Sequence, residues 1–225
     1  MPIDPQFYDE ILPRLWQGGS HAYFWTDDDG EGHKCTLWQE LTPGAQARLP
    51  RVWTERLNCY FGIHPTRARG ADSYTRAKVA DIALINCLYA EVDNLQTPEE
   101  VQECIDWLLE DMPCRPSLII WSGGGLHIYW LLDAPFALDS DAARERAILA
   151  QRAIVAYIGG DIAVHDLARV LRVPGSINHK PERGGAVCAI RHWQPDDVST
   201  LDELEAMLTK QIADLTTTAA AQAHT

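Results

Sequence analysis

Two carboxylates, Glu91 and Asp93, close a nearly continuous apolar run that begins at Ile82. Side chains alternate between faces along a β-strand, so these two acids project from the same face. Neighbouring carboxylates repel each other unless a cation neutralises them or one of them is protonated. Their oxygen atoms are hard ligands of the kind that Mg²⁺ and Mn²⁺ prefer. The pair therefore predicts part of a divalent-metal site, and a solvated strand end is the alternative.

A run of three glycines lies between two apolar segments, with Ser122 before it and His127 shortly after it. Glycine allows a tight turn whose bare backbone N–H groups can approach a phosphate. The side chains of Ser122 and His127 can both donate hydrogen bonds to phosphate oxygens. We therefore interpret Ser122, Gly124, Gly125 and His127 as a nucleotide-binding turn. An ordinary glycine hairpin with an inward histidine is the alternative.

The segment from Asp166 to Lys180 is rich in polar and basic residues around a Pro-Gly turn. Asp166 could complete a metal site of three carboxylates, and Asp161 is a rival for that place. Arg172, Asn178 and Lys180 are candidate contacts for triphosphate oxygens, with the arginine as the bidentate partner. A surface loop held by salt bridges is the alternative.

The net charge of −13 is unfavourable for binding a polyanion, but the bases are not evenly spread. Residues 41–78 carry seven bases and two acids, and residues 169–192 carry five bases and one acid. The local field decides whether a phosphate is attracted, so two basic regions in an acidic chain keep nucleic acid as a partner. Within the first region, the candidate template contacts are Arg67, Arg69, Arg76 and Lys78. The aromatic residues Tyr60 and Phe61 just before them fit strand core positions better.

Periodicity and turn signals predict an alternation of strands and helices. Helices are expected at 4–16, 97–112, 140–158 and 201–215. Strands are expected at 21–25, 34–38, 58–63, 82–92, 117–121, 126–132 and 187–193, with a loop at 66–75. This pattern predicts an α+β fold with a mixed or antiparallel sheet. We expect one domain over 1–215, with an N-terminal subdomain at 1–79, a core at 80–193, and a disordered tail or linker at 216–225.

Six cysteines are scattered without a CxxC pair, so we expect free thiols and no structural zinc. The pair His33 and Cys35 is too small a signal for a closed zinc site. No apolar run is long enough to cross a membrane, and the first ten residues do not resemble a signal peptide. The composition therefore favours a cytoplasmic protein without a membrane partner.

Together the three motifs resemble the archaeo-eukaryotic primase superfamily, in particular its primase-polymerases from plasmids, phages and CRISPR-associated systems. The acid pair at 91–93 is similar to the first motif of the family, although Glu91 stands where aspartate is frequent. The segment from Ser122 to His127 is similar to the second motif, and Asp166 to the third. The resemblance covers about residues 58–193.

The resemblance implies an RRM-like catalytic module that carries the metal acids, with an accessory N-terminal module. It implies that Glu91, Asp93 and Asp166 bind two Mg²⁺ or Mn²⁺ ions, and that the turn and the basic side chains bind a dNTP or NTP. The implied partners are a single-stranded DNA template and a primer, with a helicase or C-terminal domain in a full-length protein. Two alternatives stay open: a metal-dependent nuclease, and an inactive single-stranded nucleic-acid-binding module. A relaxase is disfavoured because the chain has no HxH pair.

Overall fold

The computed structural model describes residues 4–27, 34–42, 48–160 and 165–223. His33, Asp161 and the turn expected between the first two strands lie outside these ranges. Nine strands are present in the described ranges: β1 His21–Asp27, β2 Cys35–Glu40, β3 Asn58–Gly62, β4 Leu84–Asp93, β5 Leu118–Trp121, β6 Gly125–Ala137, β7 Val170–Arg172, β8 Ala189–Trp193 and β9 Val198–Ser199. The α-helices there are α1 Leu12–Leu15, α2 Arg51–Arg56, α3 Pro98–Glu110, α4 Asp141–Ile158, α5 Leu201–Met207 and α6 Thr209–Ala223. Short π and 3-10 turns lie at Phe7–Ile11, Val79–Asp81 and Pro181–Arg183.

The strands form two sheets. The first sheet has the order β2-β1-β3-β7, and all of its pairs are antiparallel. The second sheet has the order β4-β6-β5-β8, also antiparallel, and β9 runs parallel beside the distal part of β6. Together with the flanking helices, these two sheets confirm the predicted α+β fold.

An apolar layer joins the two sheets. Phe61 and Leu171 of the first sheet belong to the same buried cluster as Tyr89 and Tyr129 of the second. The N-terminal helical segment adds Phe7 and other apolar side chains to it, because its apolar residues recur with helical spacing. This packing fixes the ends of the two sheets relative to each other.

The other face of the second sheet is covered by helices α3, α4 and α5. Strand β4 lies at an edge of this sheet, with both faces buried over most of its length. Gln151 of α4 hydrogen-bonds the backbone groups of Tyr89 that face away from β6. Its Oε1 accepts from the Tyr89 N–H at 3.1 Å, and its Nε2 donates to the Tyr89 carbonyl at 2.7 Å. The side-chain amide thus replaces a neighbouring strand two residues before Glu91.

Two boundaries differ from the prediction. The first sheet is not confined to residues 1–79, because β7 pairs with β3 from much later in the chain. The segment expected to be a disordered tail continues the last helix as far as Ala223. Its threonines donate to carbonyls four residues earlier, as Thr217 does to Ala213 at 2.9 Å, and its alanines favour helix. Within the described ranges, no helix combines the length and apolar character needed to cross a bilayer.

Candidate active site

The register of the second sheet brings the acid pair next to the glycine turn. Strand β4 pairs with β6 so that Glu91 lies opposite His127 and Asp93 opposite Gly125. Glu91 is half-buried, whereas Asp93 is exposed at the end of the strand. The first two motifs therefore form one surface, although 28 residues separate Asp93 from Ser122 in the sequence.

A cleft of about 240 Å³ opens at this point, between the ends of the two sheets. Eight of the predicted site residues line it: Glu91, Asp93, Ser122, Gly124, His127, Arg172, Asn178 and Lys180. Tyr60, Arg169 and Arg183 also line it, and sequence analysis assigned no site role to any of them. Both arginines belong to the second basic region, so charge clustering was the signal that could have found them.

Arg169 is the direct partner of Glu91. Its Nε and Nη2 atoms donate to Glu91 Oε1 at 3.1 and 2.9 Å, and Nε2 of His127 lies 3.9 Å from Glu91 Oε2. The guanidinium therefore neutralises one of the two neighbouring carboxylates. Asp93 has no such partner among the described residues, so its carboxylate is open to the cleft.

His127 is held neutral by its surroundings. Burial, together with the positive charges of Arg172 and Arg169, lowers its pKa to about 3, and Asp93 partly opposes this shift. The residue is only 6% exposed, and its buried Nδ1 atom has no hydrogen-bond partner among the described residues. A neutral imidazole in a cleft wall is suited to a polar ligand.

Gly125 is required by close approach and Gly123 by backbone conformation. A methyl group on Gly125 would collide with the Val92 carbonyl on β4, whereas one on Gly124 would displace only the guanidinium of Arg183, the movable end of a flexible side chain. Gly123 has φ +92°, in the left-handed region that favours glycine. The Ser122 hydroxyl donates to the Gly125 carbonyl at 3.0 Å, so this serine closes the turn rather than offering a free donor.

Arg172 is a buried cation with neutral partners. It is 4% exposed, donates to Asn58 Oδ1 at 2.6 Å and to the Tyr60 hydroxyl at 3.1 Å, and stacks 4.8 Å from the Tyr60 ring centre. No carboxylate of the described residues lies within ion-pair distance of it. A buried charge without a counter-ion is costly, so this guanidinium is suited to binding an anion that enters the cleft.

Asn178 joins the glycine turn to the basic segment. Its Nδ2 donates to the Ser122 carbonyl at 3.0 Å, and its Oδ1 accepts from the Lys180 N–H at 3.2 Å. The side chain is 4% exposed, so its visible role is to hold these two segments together at the cleft. Lys180 is the more accessible of the two predicted contacts.

Asp166 is not among the residues that line the cleft. Its carbonyl accepts from the Tyr89 hydroxyl at 2.8 Å, and Tyr89 shares a face of β4 with Glu91. Asp166 is thus on the side of the second sheet that the metal hypothesis requires. Within the described part of the chain, however, no three His, Cys, Asp or Glu side chains are grouped closely enough to hold one metal ion. The three-carboxylate site stays a prediction.

The four predicted template contacts lie together in a separate groove of about 500 Å³. Arg67, Arg69, Arg76 and Lys78 line it beside Trp38 of β2. The guanidinium of Arg67 donates to the Leu138 carbonyl, so this arginine also anchors the loop. Phe61 is fully buried, as expected of a core residue, whereas Tyr60 lies in the wall of the active-site cleft.

This architecture is the fold of the archaeo-eukaryotic primase-polymerases. The primase-polymerase domain of cyanophage S-2L superposes with a TM-score of 0.63 at 18% identity, covering 92% of this chain and all of that one. The catalytic domain of primase RepB', solved in complex with initiator DNA, superposes with a TM-score of 0.52 at 14% identity, covering 94% of both chains. The resemblance predicted from three motifs is confirmed at the level of the fold.

Sequence similarity is weaker than structural similarity. No family model matches the chain. A replication protein of Clostridium perfringens is 28% identical over 110 residues, which is 46% of this chain and 26% of that protein. An uncharacterised protein of Methanocaldococcus jannaschii is 26% identical over 149 residues, 64% of this chain and 11% of that protein. The chain therefore spans only a minor part of the length of these two relatives.

Proposed function

We propose that this chain is the catalytic domain of a DNA primase-polymerase. It transfers nucleotides from dNTPs or NTPs onto a 3′-hydroxyl under the direction of a single-stranded DNA template, and it starts primers as well as extending them. It depends on Mg²⁺ or Mn²⁺. The fold shared with primase-polymerases supports the class of reaction, and the composition of the cleft supports the substrate.

The charge of the cleft carries this proposal. Two acids, Glu91 and Asp93, face four cations in the cleft wall: Arg169, Arg172, Lys180 and Arg183. A net positive cleft in a chain of net charge −13 is suited to an anionic ligand with several oxygens, such as a triphosphate. The excess of cations also distinguishes this cleft from that of a simple cation-binding site.

The donor set fits the metal that the fold implies. Glu91 and Asp93 offer only carboxylate oxygens from one face of one strand, the ligand type that Mg²⁺ and Mn²⁺ accept. These two acids would hold the ion, and Asp166 is the proposed third ligand. Glu91 would then exchange the guanidinium of Arg169 for the ion. A bound divalent ion supplies Lewis-acid stabilisation of the phosphate charge and a lower pKa for the attacking hydroxyl.

The remaining side chains bind and orient the nucleotide. Arg172, fixed by Asn58 and Tyr60, offers its positive charge without needing to reorganise, which is the condition for efficient electrostatic stabilisation. Lys180 and Arg183 are available to the outer phosphates at the glycine turn. His127 offers its neutral imidazole, which lines the cleft wall, as a hydrogen-bond partner.

A primer-extension assay with Asp93→Asn tests the proposal. With Mn²⁺, labelled nucleotides and a primed single-stranded DNA template, the variant should lose about 1000-fold or more in incorporation, because a metal ligand is worth several kcal/mol to the transition state. Thermal unfolding should not change, since Asp93 is exposed. The matched control is Asp133→Asn, an exposed acid on the neighbouring strand β6, which should retain full activity.

Three other outcomes would overturn the proposal. Equal incorporation by the two variants would remove Asp93 from the chemistry. Shortening of the labelled primer by the wild-type chain, in place of extension, would identify a nuclease. Binding of template without any incorporation, in every nucleotide pool and with either metal, would identify an inactive binding module.

A further inference from the structure

Four side chains form a continuous row across one face of the first sheet. The guanidinium of Arg172 lies 4.8 Å from the ring centre of Tyr60, the Tyr60 and Trp25 rings are 5.3 Å apart, and the guanidinium of Arg76 lies 5.1 Å from the Trp25 ring. Strand register produces the first part of this row, because Tyr60 pairs with Arg172 on one side and with Trp25 on the other. We call these four residues the aromatic–arginine row.

The row joins the two clefts described above. At one end, Tyr60 and Arg172 line the active-site cleft. At the other end, Arg76 lines the basic groove beside Trp38. A ligand that occupies both clefts would therefore have to cross Trp25 and Tyr60, which are both half-buried and so keep part of their rings accessible.

The loop that carries Arg76 is fastened to the same face of the sheet. The Thr36 N–H donates to the Ser73 carbonyl at 2.6 Å, and Trp38 Nε1 donates to the Asp72 carbonyl at 3.1 Å. These bonds cover the Trp38 end of the face with the loop. Trp25 is half-buried, and the guanidinium of Arg76 and the ammonium group of Lys34 lie 5.1 and 5.9 Å from its ring centre.

The two acids that line the basic groove are hydrogen-bonded to the backbone. Asp72 Oδ1 accepts from the N–H groups of Tyr74 and Thr75, each at 2.8 Å, and Asp81 Oδ2 accepts from the Lys78 N–H at 2.7 Å. Among the described residues, none of the groove bases Arg69, Arg76 and Lys78 forms an ion pair. The four bases of the groove outnumber its two acids, so the groove keeps a net positive charge.

Alternating rings and cations are suited to a single-stranded polynucleotide. Unpaired bases stack on aromatic faces, and guanidinium groups bind the phosphates between them. Three contacts of about 5 Å give the row room for roughly four nucleotides at the spacing of about 3.4 Å between stacked bases. A duplex cannot use the rings in this way, because its bases are already stacked on each other.

We propose that the aromatic–arginine row is the path of the single-stranded template between the active-site cleft and the basic groove. This inference rests on the proposed function, and it adds a template path through Trp25 and Tyr60 to the basic residues. Arg76 holds a phosphate at the groove end, and Trp25 and Tyr60 support the bases. Arg172, which binds the nucleotide, marks the point where the row reaches the active-site cleft.

Binding can be measured without catalysis. Fluorescence anisotropy of a labelled single-stranded DNA of about 12 nucleotides, within the usual site sizes, is followed in the Asp93→Asn background, where no synthesis consumes the strand. Arg76→Gln should raise the Kd at least about fivefold and reduce the dependence of log K on log salt by about one charge. Trp25→Leu should raise the Kd similarly without changing that dependence, and Trp25→Phe should restore most of the affinity.

Matched controls separate the row from general effects of charge and hydrophobicity. Arg115→Gln removes one exposed positive charge elsewhere, and Trp107→Leu removes a tryptophan that is 39% exposed on α3. Both should bind the strand like the parent. Circular dichroism and thermal unfolding verify that Trp25→Leu is folded, and Arg76→Gln, at an exposed position, provides the test if it is not.

Failure of this proposal is distinguishable from failure of the proposed function. If Arg76→Gln and Trp25→Leu bind the strand as the two controls do, the path is wrong even when the wild type synthesises DNA. If Trp25→Leu weakens the binding of duplex DNA as much as that of the single strand, the proposal that unpaired bases stack on Trp25 is wrong. If the wild type synthesises nothing but these two variants still lose binding, the path stands and the polymerase assignment falls.

Discussion

The two sheets contribute opposite charges to the active-site cleft, and they do so by different structural means. The second sheet presents Glu91 and Asp93 from a strand of ten residues that pairs along most of its length with β6. The first sheet presents Arg172 from β7, an edge strand of only three residues. The acids therefore depend on a long strand pairing, whereas the principal cation depends on side-chain partners, namely Asn58 and Tyr60.

This difference indicates a division of roles. Carboxylates that share a metal need a fixed separation, and a well-paired strand supplies it. A cation that binds flexible phosphates needs mainly to be shielded from water and held in one orientation. A short strand and two hydrogen bonds achieve this. Three experiments test this contrast, in order of decreasing expected effect.

Replacing Arg172 tests whether the first sheet supplies charge for the ligand rather than for the fold. Arg172→Met should reduce nucleotide incorporation on the order of 100-fold, since a charge-assisted hydrogen bond is worth about 1.5–3 kcal/mol and about 1.4 kcal/mol corresponds to a factor of ten. Arg144 is the matched control, because its guanidinium also has neutral partners, the carbonyls of Val79, Ile82 and Leu138. Arg144→Met should lower the Tm but preserve activity per folded molecule. If Arg172→Met lowered only the Tm and Arg144→Met lowered the activity, the first sheet would not supply charge for the ligand.

The acid sensitivity of folding, measured through His64, tests the packing where the two sheets meet. It follows β3, is 1% exposed, and its ring lies 6.3 Å from that of Tyr89 on β4. Burial lowers its pKa from 6.5 to about 3, so the unfolded chain binds a proton below pH 6.5 that the folded chain does not. Folding stability should therefore fall with decreasing pH over this window, by at most about 1.4 kcal/mol per pH unit from this group.

Urea unfolding of the wild type and of His64→Leu, at pH 7.5 and pH 5, measures this contribution. The variant should lose less stability on acidification than the wild type, by about 2 kcal/mol. Neither ring nitrogen of His64 has a hydrogen-bond partner among the described residues, so leucine removes a buried polar group without leaving one unsatisfied. Equal acid sensitivity in the two proteins would show that this histidine is not kept neutral between the sheets.

Replacing Tyr89 tests the hydrogen bond that connects the second sheet to the backbone at Asp166. Tyr89→Phe removes the 2.8 Å hydrogen bond to the Asp166 carbonyl and should lower incorporation about tenfold, with a higher Mn²⁺ concentration for half-maximal rate. Tyr129 lies directly opposite on β6 and is equally buried, but its hydroxyl has no hydrogen-bond partner within the described part of the chain. Tyr129→Phe should therefore leave both the rate and the Mn²⁺ requirement unchanged, and a similar loss in the two variants would assign the effect to packing alone.

The same contrast explains which parts of the site were readable in the sequence. Glu91, Asp93 and the glycine turn lie at the ends of adjacent segments of one sheet, so spacing and turn chemistry were enough to predict them. Arg169 and Tyr60 were missed because their roles arise from the packing of β7 against β3, which pairs residues more than a hundred positions apart. Three residues are too few for strand periodicity to be visible, so β7 itself was read as part of a polar loop.

Most helices and strands were predictable because their boundaries are chemically marked. Thr97 and Glu100 form the expected capping box of α3, and Gly159 ends α4 in the left-handed conformation. The last helix was missed beyond residue 215 because a Thr-Ala run has no amphipathic pattern. Sheet order was not predictable either: nothing local to β4 indicates that this apolar strand lies at an edge.

That edge position gives Gln151 a consequence beyond the geometry of the site. An apolar strand with unpaired backbone groups is a template for association with other chains, and proteins usually protect such edges with charges, bulges or covering elements. Here a single side-chain amide on α4 occupies both the N–H and the carbonyl of Tyr89. This glutamine therefore protects the edge at Tyr89 from pairing with a strand of another chain, although it lines neither of the two clefts.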